Sequence, residues 1–432
     1  MEAQNIIFDL QQRGLVAQCT DLERLTSLVK NEKITLYCGF DPTAESLTVG
    51  NLLALITLKR FANAGHRVIV LIGNLTGMIG DPSGRSADRP VLSEQQVHMN
   101  AHHIAIQSAN IVGLEFNIHD PSIVFNANFY EHMNVLQFMR EIGIKFSVNK
   151  MLTKDSIDSR LNSGGLTFAE MSYSLFQAAD FNFLAQRNDC KLQIGGNDQW
   201  GNICSGVELA RTNGKEVFGL TFPLVTKKDG TKFGKSSDGA VWLDPKKTTP
   251  WDFYQFWINL SDEEAEKIIS MFSLQNNANF LATLKENKEH LPKRHLQNIL
   301  ALEMTVLVHG TVIGMKCERI AKAMFQGEWT GLSREELEQA NEVINGEEVT
   351  LPERTDGKFD VVGALIHTGL ATSKTDARKL IDSKGINING FTVTDHVIEK
   401  SKFNPYHGEF VVLRKGNKHI RIIKQVSPVL AS

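Results

Sequence analysis

Lys232 and Lys235 lie three apart in the glycine-bearing stretch KKDGTKFGKSSDG, residues 227–239. At that spacing both ammonium groups can reach one polyphosphate, and the glycines give the backbone freedom to close on it. A Walker loop needs four residues between its glycines, then Lys and Ser or Thr opening a helix. Here three residues separate Gly230 from Gly234, and strand-like AVWLDP follows, so that reading fails. A mobile phosphate-binding loop and a solvated surface turn both stay open. Three further stretches carry polar groups on chemically useful spacings. In GNLTGMIGDPSGRSADR (73–89), Asp81 is either an acceptor for a ligand ammonium or a turn residue before Pro82. In QIGGNDQWGN (193–202), Gly196, Asp198 and Gln199 suit ribose hydroxyls, while Trp200 reads as core. In FAEMSYSLFQAADF (168–181), Tyr173, Gln177 and Asp180 fall at i, i+4 and i+7 on one helix face. That face is either an exposed stripe or a set of buried groups that need partners. Finally, ESLTVGNLL (45–53) opens a helix, where free backbone N–H groups and the helix dipole favour an anion. Thr48 and Asn51 are the only donor side chains at that start.

The elements that must position these groups are legible as periodicities. KITLYCGF, HRVIVLIGN and CKLQIGG read as buried strands. Residues 52–64 read as a helix, with Leu52, Leu55, Ile56 and Phe61 at helical spacing and Gly65 able to cap the end. The alternation predicts a mostly parallel sheet with helices on its faces and ligands at the carboxyl ends of its strands. The polar glycine clusters YCGFDPT, GNLTGMIGDPSG and GGNDQWGN fall at those ends. After Pro250 the periodicity is helical, with few strand signals.

Residues 328–353 hold eight glutamates and one arginine, which suits a linker or a solvated helix. From Asp356 onward twelve Lys or Arg oppose seven Asp or Glu, a net +5 in a chain whose total is −3. Two helix-like segments (FDVVGALIHTG, SKTDARKLID) and two strand-like ones (GINING, EFVVLRKGNKHIRII) make that tail a small basic α+β module. It fits phosphate contacts, or a solubilising domain.

The 432 residues, 42% hydrophobic and 22% charged, suit two to four globular domains. The start MEAQNIIFDLQQRG lacks the basic flank and apolar core of a signal peptide, and no window is apolar enough to span a membrane. Five scattered cysteines with no CxxC spacing argue against zinc and a disulfide framework, and for a reducing, cytoplasmic or organellar setting.

Taken together, LYCGFDPTAESL, GDPSGR, NKMLTKDSIDSRL, MSYSLFQAADF, QIGGNDQWGN, DGTKFGKS and FYQFWIN resemble the bacterial-type tyrosyl-tRNA synthetases, class I aminoacyl-tRNA synthetases, over essentially the whole chain. The resemblance implies an α/β Rossmann-like catalytic domain (1–225) with an inserted dimerisation segment at about 120–180. A KFGKS loop and connection (226–248), an α-helical anticodon-binding domain (249–327), an acidic linker (328–355) and an S4-like RNA-binding domain (356–432) follow. It implies tyrosine, ATP and tRNA(Tyr) as partners, a homodimer and no membrane. Mg2+ comes with ATP as co-substrate, and no protein-bound metal or organic cofactor is expected.

Residue by residue, the resemblance places Tyr37 and Asp180 on the substrate phenol, with Asn126 deeper behind it. Asp81, Tyr173 and Gln177 fall on the ammonium, and Gln199 on the carboxylate side. For ATP it offers Cys38, Gly39, Asp41, Thr43, Gly50, Asn51, Gly196 and Asp198. Lys232 and Lys235 are the mobile-loop lysines, acting with Thr43, Thr48 and Asn51. Arg378, Lys379 and Lys384 would meet RNA phosphates, and Arg85 and Arg89 are further candidates for tRNA. One departure stands out: TVGN (48–51) replaces the family's HxGH signature, so Thr48 and Asn51 stand where histidines are usual. The implied activity is tyrosine activation by ATP and transfer to tRNA. The alternative is an adenylation-impaired paralogue that binds tyrosine or RNA.

Overall fold

The computed structural model describes residues 5–82, 92–115, 121–152, 157, 165–226, 233–236, 239–289, 294–327, 329–345, 348–352, 354, 356–416 and 419–426; of Lys235 and Ser236 it describes the backbone alone. The chain divides into two compact units, 1–309 and 310–432.

The first unit is built on a six-stranded sheet: β1 (Gln18–Cys19), β2 (Thr35–Phe40), β3 (Arg67–Ile72), β4 (Ile123–Phe125), β5 (Cys190–Gly196) and β6 (Phe218–Phe222). Their spatial order is β1-β6-β5-β2-β3-β4. All pairs are parallel except β1 with β6. The long apolar runs of β2, β3 and β5 are buried because helices cover a parallel sheet. From β2 the chain winds through β3 to β4, then resumes on the other side of β2 with β5 and β6. The reversal leaves a crevice at the carboxyl ends of β2 and β5. Tyr37 sits in the middle of that junction, opposite Ile69 on one side and Gln193 on the other.

Helix Val49–Asn63 follows β2, three residues longer at its start than the apolar spacing predicts, with Leu52, Leu55, Ile56 and Phe61 fully buried. Between β4 and β5 lies the inserted segment, which ends in helix Phe168–Arg187. That helix packs on helix Trp200–Thr212. Helices Pro250–Ile258, Asp262–Phe272, Asn277–Glu289 and His295–His309 complete the unit, in line with the helical reading of this region.

The linker drawn at 328–355 needs redrawing. The compact units part at 309/310, where Gly310 has φ +90, so helix Thr311–Gln326 belongs to the second unit. The acidic stretch contains helix Arg334–Asn345, whose Leu337 and Ala340 are fully buried, and strand Thr350–Pro352, which pairs in parallel with His419–Val426. A charge count hides this, because Glu335, Glu338 and Glu342 lie toward the outside of an amphipathic helix, while Glu336 is buried with the apolar face. The rest of the second unit is a five-stranded sheet with helices Val361–His367 and Lys374–Asp382 around an apolar core that includes Leu365, Ile381, Ile388 and Leu413.

Candidate active site

A cleft of about 820 Å³ opens at the carboxyl ends of β2 and β5. At its deep end Tyr37 and Asp180 are 1% and 2% exposed. Asn126 Nδ2 donates to Asp180 Oδ2 at 3.0 Å, and the Tyr130 hydroxyl donates to Asp180 Oδ1 at 2.7 Å. Asn126 is itself fixed, since its carbonyl accepts from the Leu75 N–H at 2.8 Å. Burial raises the Asp180 carboxyl to about 7, against the lowering effect of the Asn126 and Tyr130 bonds, and the Asp41 charge raises it further. Burial, then the Asp180 charge, lifts the Tyr37 phenol well above its ordinary range, so Tyr37 is a neutral donor. Its hydroxyl has no partner among the described residues, nor have Gln177 Oε1 and Gln193 Oε1. All three residues line the cleft. Buried polar atoms left unpaired cost about 1–3 kcal/mol each, so this wall is built for a ligand that satisfies them.

Two turns before Asp180 on helix Phe168–Arg187, the Tyr173 hydroxyl donates to Asp41 Oδ2 at 2.8 Å, and Thr76 Oγ donates to Asp41 Oδ1 at 2.7 Å. Asp41, placed by the resemblance beside the phosphates, therefore organises Tyr173 as well. Because the Tyr173 proton goes to Asp41, its oxygen faces other groups as an acceptor. Asp81 Oδ2 accepts from Gln199 Nε2 at 2.8 Å, which ties the carboxyl ends of the two halves together across the mouth.

The other half of the cleft is lined by Cys38, Gly39, Thr43, Thr48, Gly50, Asn51, Gly196 and Asp198, as the sequence suggested. At Gly196 a Cβ would lie 2.6 Å from Asp198 Oδ1, so a larger residue there would displace the Asp198 side chain. The Cys38 thiol is buried, which pushes it up to about 12, so it enters as a weak neutral donor. Thr48 caps helix Val49–Asn63, and both its N–H and its hydroxyl donate to Asn51 Oδ1 at 3.0 Å. The backbone N–H can only donate, so the Asn51 carbonyl must face it and the Asn51 amide N–H groups point the other way. The helix start is less open than the sequence implied: the Val49 N–H donates to the Val241 carbonyl at 2.9 Å and the Asn51 N–H to the Thr48 carbonyl at 2.9 Å.

Val241 in turn donates to the Gly234 carbonyl at 2.8 Å. Gly234, at φ +87, lies so close to Gly50 that a Cβ would come 3.0 Å from the Gly50 nitrogen. Phe233 anchors the loop here, buried against Phe256, Trp257 and Phe272 with ring centroids 5.2, 5.9 and 5.9 Å away. Lys235 follows directly and pairs with Ala240. Lys232, Arg85 and Arg89 lie outside the described residues. In the second unit Arg378, Lys379 and Lys384 are exposed, the first two on helix Lys374–Asp382 and Lys384 just after it at φ +57. Reasoning from sequence missed Tyr130 and Thr76; Thr76 stands in the glycine-rich stretch 73–89 but carries no signal of its own there, and only the tertiary fold brings the two to Asp180 and Asp41.

Residues 29–326 match the tRNA synthetases class I (W and Y), and residues 334–423 match the tyrosine–tRNA ligase SYY-like C-terminal domain. The chain is 41% identical to the tyrosine–tRNA ligase of Roseiflexus castenholzii, over 98% of this chain and 99% of that protein. It is 42% identical to tyrosine–tRNA ligase 2 of Bacillus cereus, over 97% and 99%. In structure it is similar to a C-terminally truncated mitochondrial tyrosyl-tRNA synthetase of Aspergillus nidulans, at 26% identity and a TM-score of 0.67 over 74% of this chain and 94% of that one. A cleft at the sheet's reversal point, with this agreement along almost the full length, means that the chain belongs to the class I tRNA synthetases of the tryptophan and tyrosine family.

Proposed function

We propose that the chain works as a tyrosine–tRNA ligase, activating tyrosine with ATP to tyrosyl-adenylate and passing the tyrosyl group to the terminal ribose of tRNA(Tyr). The observation that carries this is the buried Tyr37 hydroxyl, unpartnered beside an Asp180 carboxylate already held by two donors. A substrate phenol completes both: it accepts from Tyr37 and donates to Asp180. Phenylalanine leaves the Tyr37 hydroxyl unpaired, at a cost of about 1–3 kcal/mol, and offers Asp180 no donor beyond Asn126 and Tyr130. The ammonium finds acceptors in the Tyr173 oxygen, Gln177 Oε1 and Asp81, and Gln199 lies on the carboxylate side. The tyrosine carboxylate then attacks the α-phosphate in line and pyrophosphate leaves. No protein nucleophile or base is needed, so the site works by positioning and by stabilising phosphate charge. Asn51, Thr43 and the lysines Lys232 and Lys235 supply that charge stabilisation, with Thr48 holding the Asn51 side chain in place and Mg2+ arriving on ATP. Cys38 and Asp198 reach the ribose, and Gly39, Gly50 and Gly196 keep the nucleotide against backbone.

Tyrosine-dependent exchange of pyrophosphate into ATP tests this; folded protein at background overturns it. The second reading, an adenylation-impaired binding paralogue, is favoured only by Thr48, whose hydroxyl is already committed to Asn51. The same assay separates the two.

A homodimer is supported by an apolar groove of about 570 Å³ on the inserted segment, flanked by Val135, Ile144 and Phe168 at 77%, 78% and 66% exposed. Light scattering tests it: Val135→Glu should shift the mass toward the monomer. The second unit is assigned to tRNA as an S4-like module through Arg378, Lys379 and Lys384; replacing each with Ala should weaken tRNA binding and lower its salt slope by about one. A cytoplasmic setting fits a chain in which no described helix is long and apolar enough to cross a membrane.

A further inference from the structure

Tyr130 stands in the wall between two cavities. Its ring lines the apolar groove and packs among Phe129, Phe138, Phe176 and Phe183, with centroids 5.5–6.5 Å away. Its hydroxyl reaches through to the cleft, 2.7 Å from Asp180 Oδ1 and 3.0 Å from the Phe176 carbonyl oxygen. A phenol has one proton, so it serves one of these acceptors at a time. An ionised carboxylate is the stronger acceptor and takes it. The rings fix where the hydroxyl stands, and the hydroxyl fixes one oxygen of the carboxylate, while Asn126 fixes the other.

We infer that Tyr130 is a positioning residue for tyrosine selection: its proton holds the Asp180 carboxylate ionised and oriented for the substrate phenol, with the Phe176 carbonyl as the alternative acceptor. This rests on the reading that Asp180 receives that phenol. The titratable groups facing Asp180 are Tyr37 and Asp41 from β2 and its end and Tyr130 from the inserted segment; the Cys38 and Cys190 thiols lie beside Tyr37. Asp41 opposes ionisation of Asp180 and the Tyr130 bond favours it, within a site whose burial holds the carboxyl near 7. Loss of the hydroxyl therefore leaves Asp180 more protonated at neutral pH.

The experiment is tyrosine binding by the full chain from pH 5.5 to 9, with ATP KM measured alongside. Tyr130→Phe keeps the ring packing and removes the donor. Tyrosine affinity should fall on the order of tenfold at pH 7. The pH midpoint for tyrosine binding should rise by about one unit, with ATP KM within about twofold of the parent. Fluorotyrosine placed at position 130 strengthens the donor and should move the same midpoint down; it also serves if the Phe variant folds poorly. An unmoved midpoint in both proteins, or equal losses toward tyrosine and ATP, overturns the inference. Asp180→Asn separates the two levels. If it leaves tyrosine binding intact, the site reading itself fails. If it weakens binding while Tyr130→Phe does not, only the role of Tyr130 fails.

Discussion

Thr48 gives both its backbone N–H and its hydroxyl to the same atom, Asn51 Oδ1, at 3.0 Å each. The pair that stands where two histidines are usual in the family is thus a self-contained helix cap, with the Asn51 amide donors turned away from it. Thr48→Ala should therefore act mainly on stability. Loss of a cap costs about 1 kcal/mol, while pyrophosphate exchange should fall less than about tenfold, since the hydroxyl is already engaged. Restoring His at both positions should raise exchange if this departure limits catalysis. Thermal melts and exchange rates on the two variants decide between the roles.

At the other end of the cleft, Tyr37→Phe removes a donor that has no partner among the described residues. Relieving an orphaned buried hydroxyl should leave the free protein as stable as before, or more so. Tyrosine-bound protein loses a hydrogen bond, so KM for tyrosine should rise roughly 5- to 30-fold, near 1–2 kcal/mol, with KM for ATP unchanged. Steady-state kinetics in both substrates give the split, and equal changes in the two would mean that Tyr37 is only packing.

The strands and the polar clusters at their ends were legible because a parallel sheet writes continuous apolar runs into the chain, as in RVIVLI and CKLQIGG. Their order was not. That β5 pairs with β2, setting Gln193 beside Tyr37, is a tertiary choice with no local signal. The face carrying Tyr173, Gln177 and Asp180 was visible as spacing, whereas Tyr130, which holds Asp180, comes from 50 residues away, and Asp41, which holds Tyr173, is itself fixed by Thr76, 35 residues on. The occupied Val49 N–H at the start of helix Val49–Asn63 was invisible for the same reason: its acceptor, Val241, is remote in sequence. At 328–355 composition misled, because counting glutamates ignores which face they occupy.

His66 gives the first unit an acid sensitivity of its own. Its Nδ1 accepts the Ile34 N–H at 3.2 Å, and burial, then Lys33, lowers its pKa to about 4 from 6.5. The unfolded chain then binds the proton first on acidification. Stability contributed by neutral His66 is complete above pH 6.5 and is lost as pH falls from 6.5 toward 4. His66→Asn keeps an acceptor for Ile34 without a titrating ring. Melting temperatures across that window should fall less steeply in the variant than in the parent, and parallel curves would remove His66 from the account.

A buried charge cluster closes the end of the Val49–Asn63 helix remote from the cleft. Asp9 accepts from Arg13 Nε at 2.8 Å and from Arg60 Nη1 at 3.1 Å, and both arginines also donate to the Ser273 carbonyl. Arg13 and Arg60 are 1% and 6% exposed, so removal of their shared carboxylate strands two guanidinium groups. Asp9→Ala should lower the unfolding free energy by about 3–5 kcal/mol. Urea titration reads this directly, and a loss under about 1 kcal/mol would show that the backbone carbonyls alone suffice.

Phe233 couples that same region to the nucleotide half. Its ring is held by Phe272, one residue before Ser273, and its backbone precedes Gly234, which rests on the Gly50 nitrogen. Phe233→Ala removes the anchor while every polar group of the loop remains. The loop should then spend less time against the helix start, and a loop that must be gathered from solution adds its ordering cost to the transition state. The expected result is a kcat for exchange reduced about tenfold with KM for ATP raised, while the tyrosine dissociation constant stays unchanged because Tyr37 and Asp180 lie at the other end of the cleft. Stopped-flow separation of tyrosine binding from adenylate formation checks this. A variant that loses tyrosine affinity as fast as it loses rate would show that Phe233 supports the whole cleft and not the loop alone.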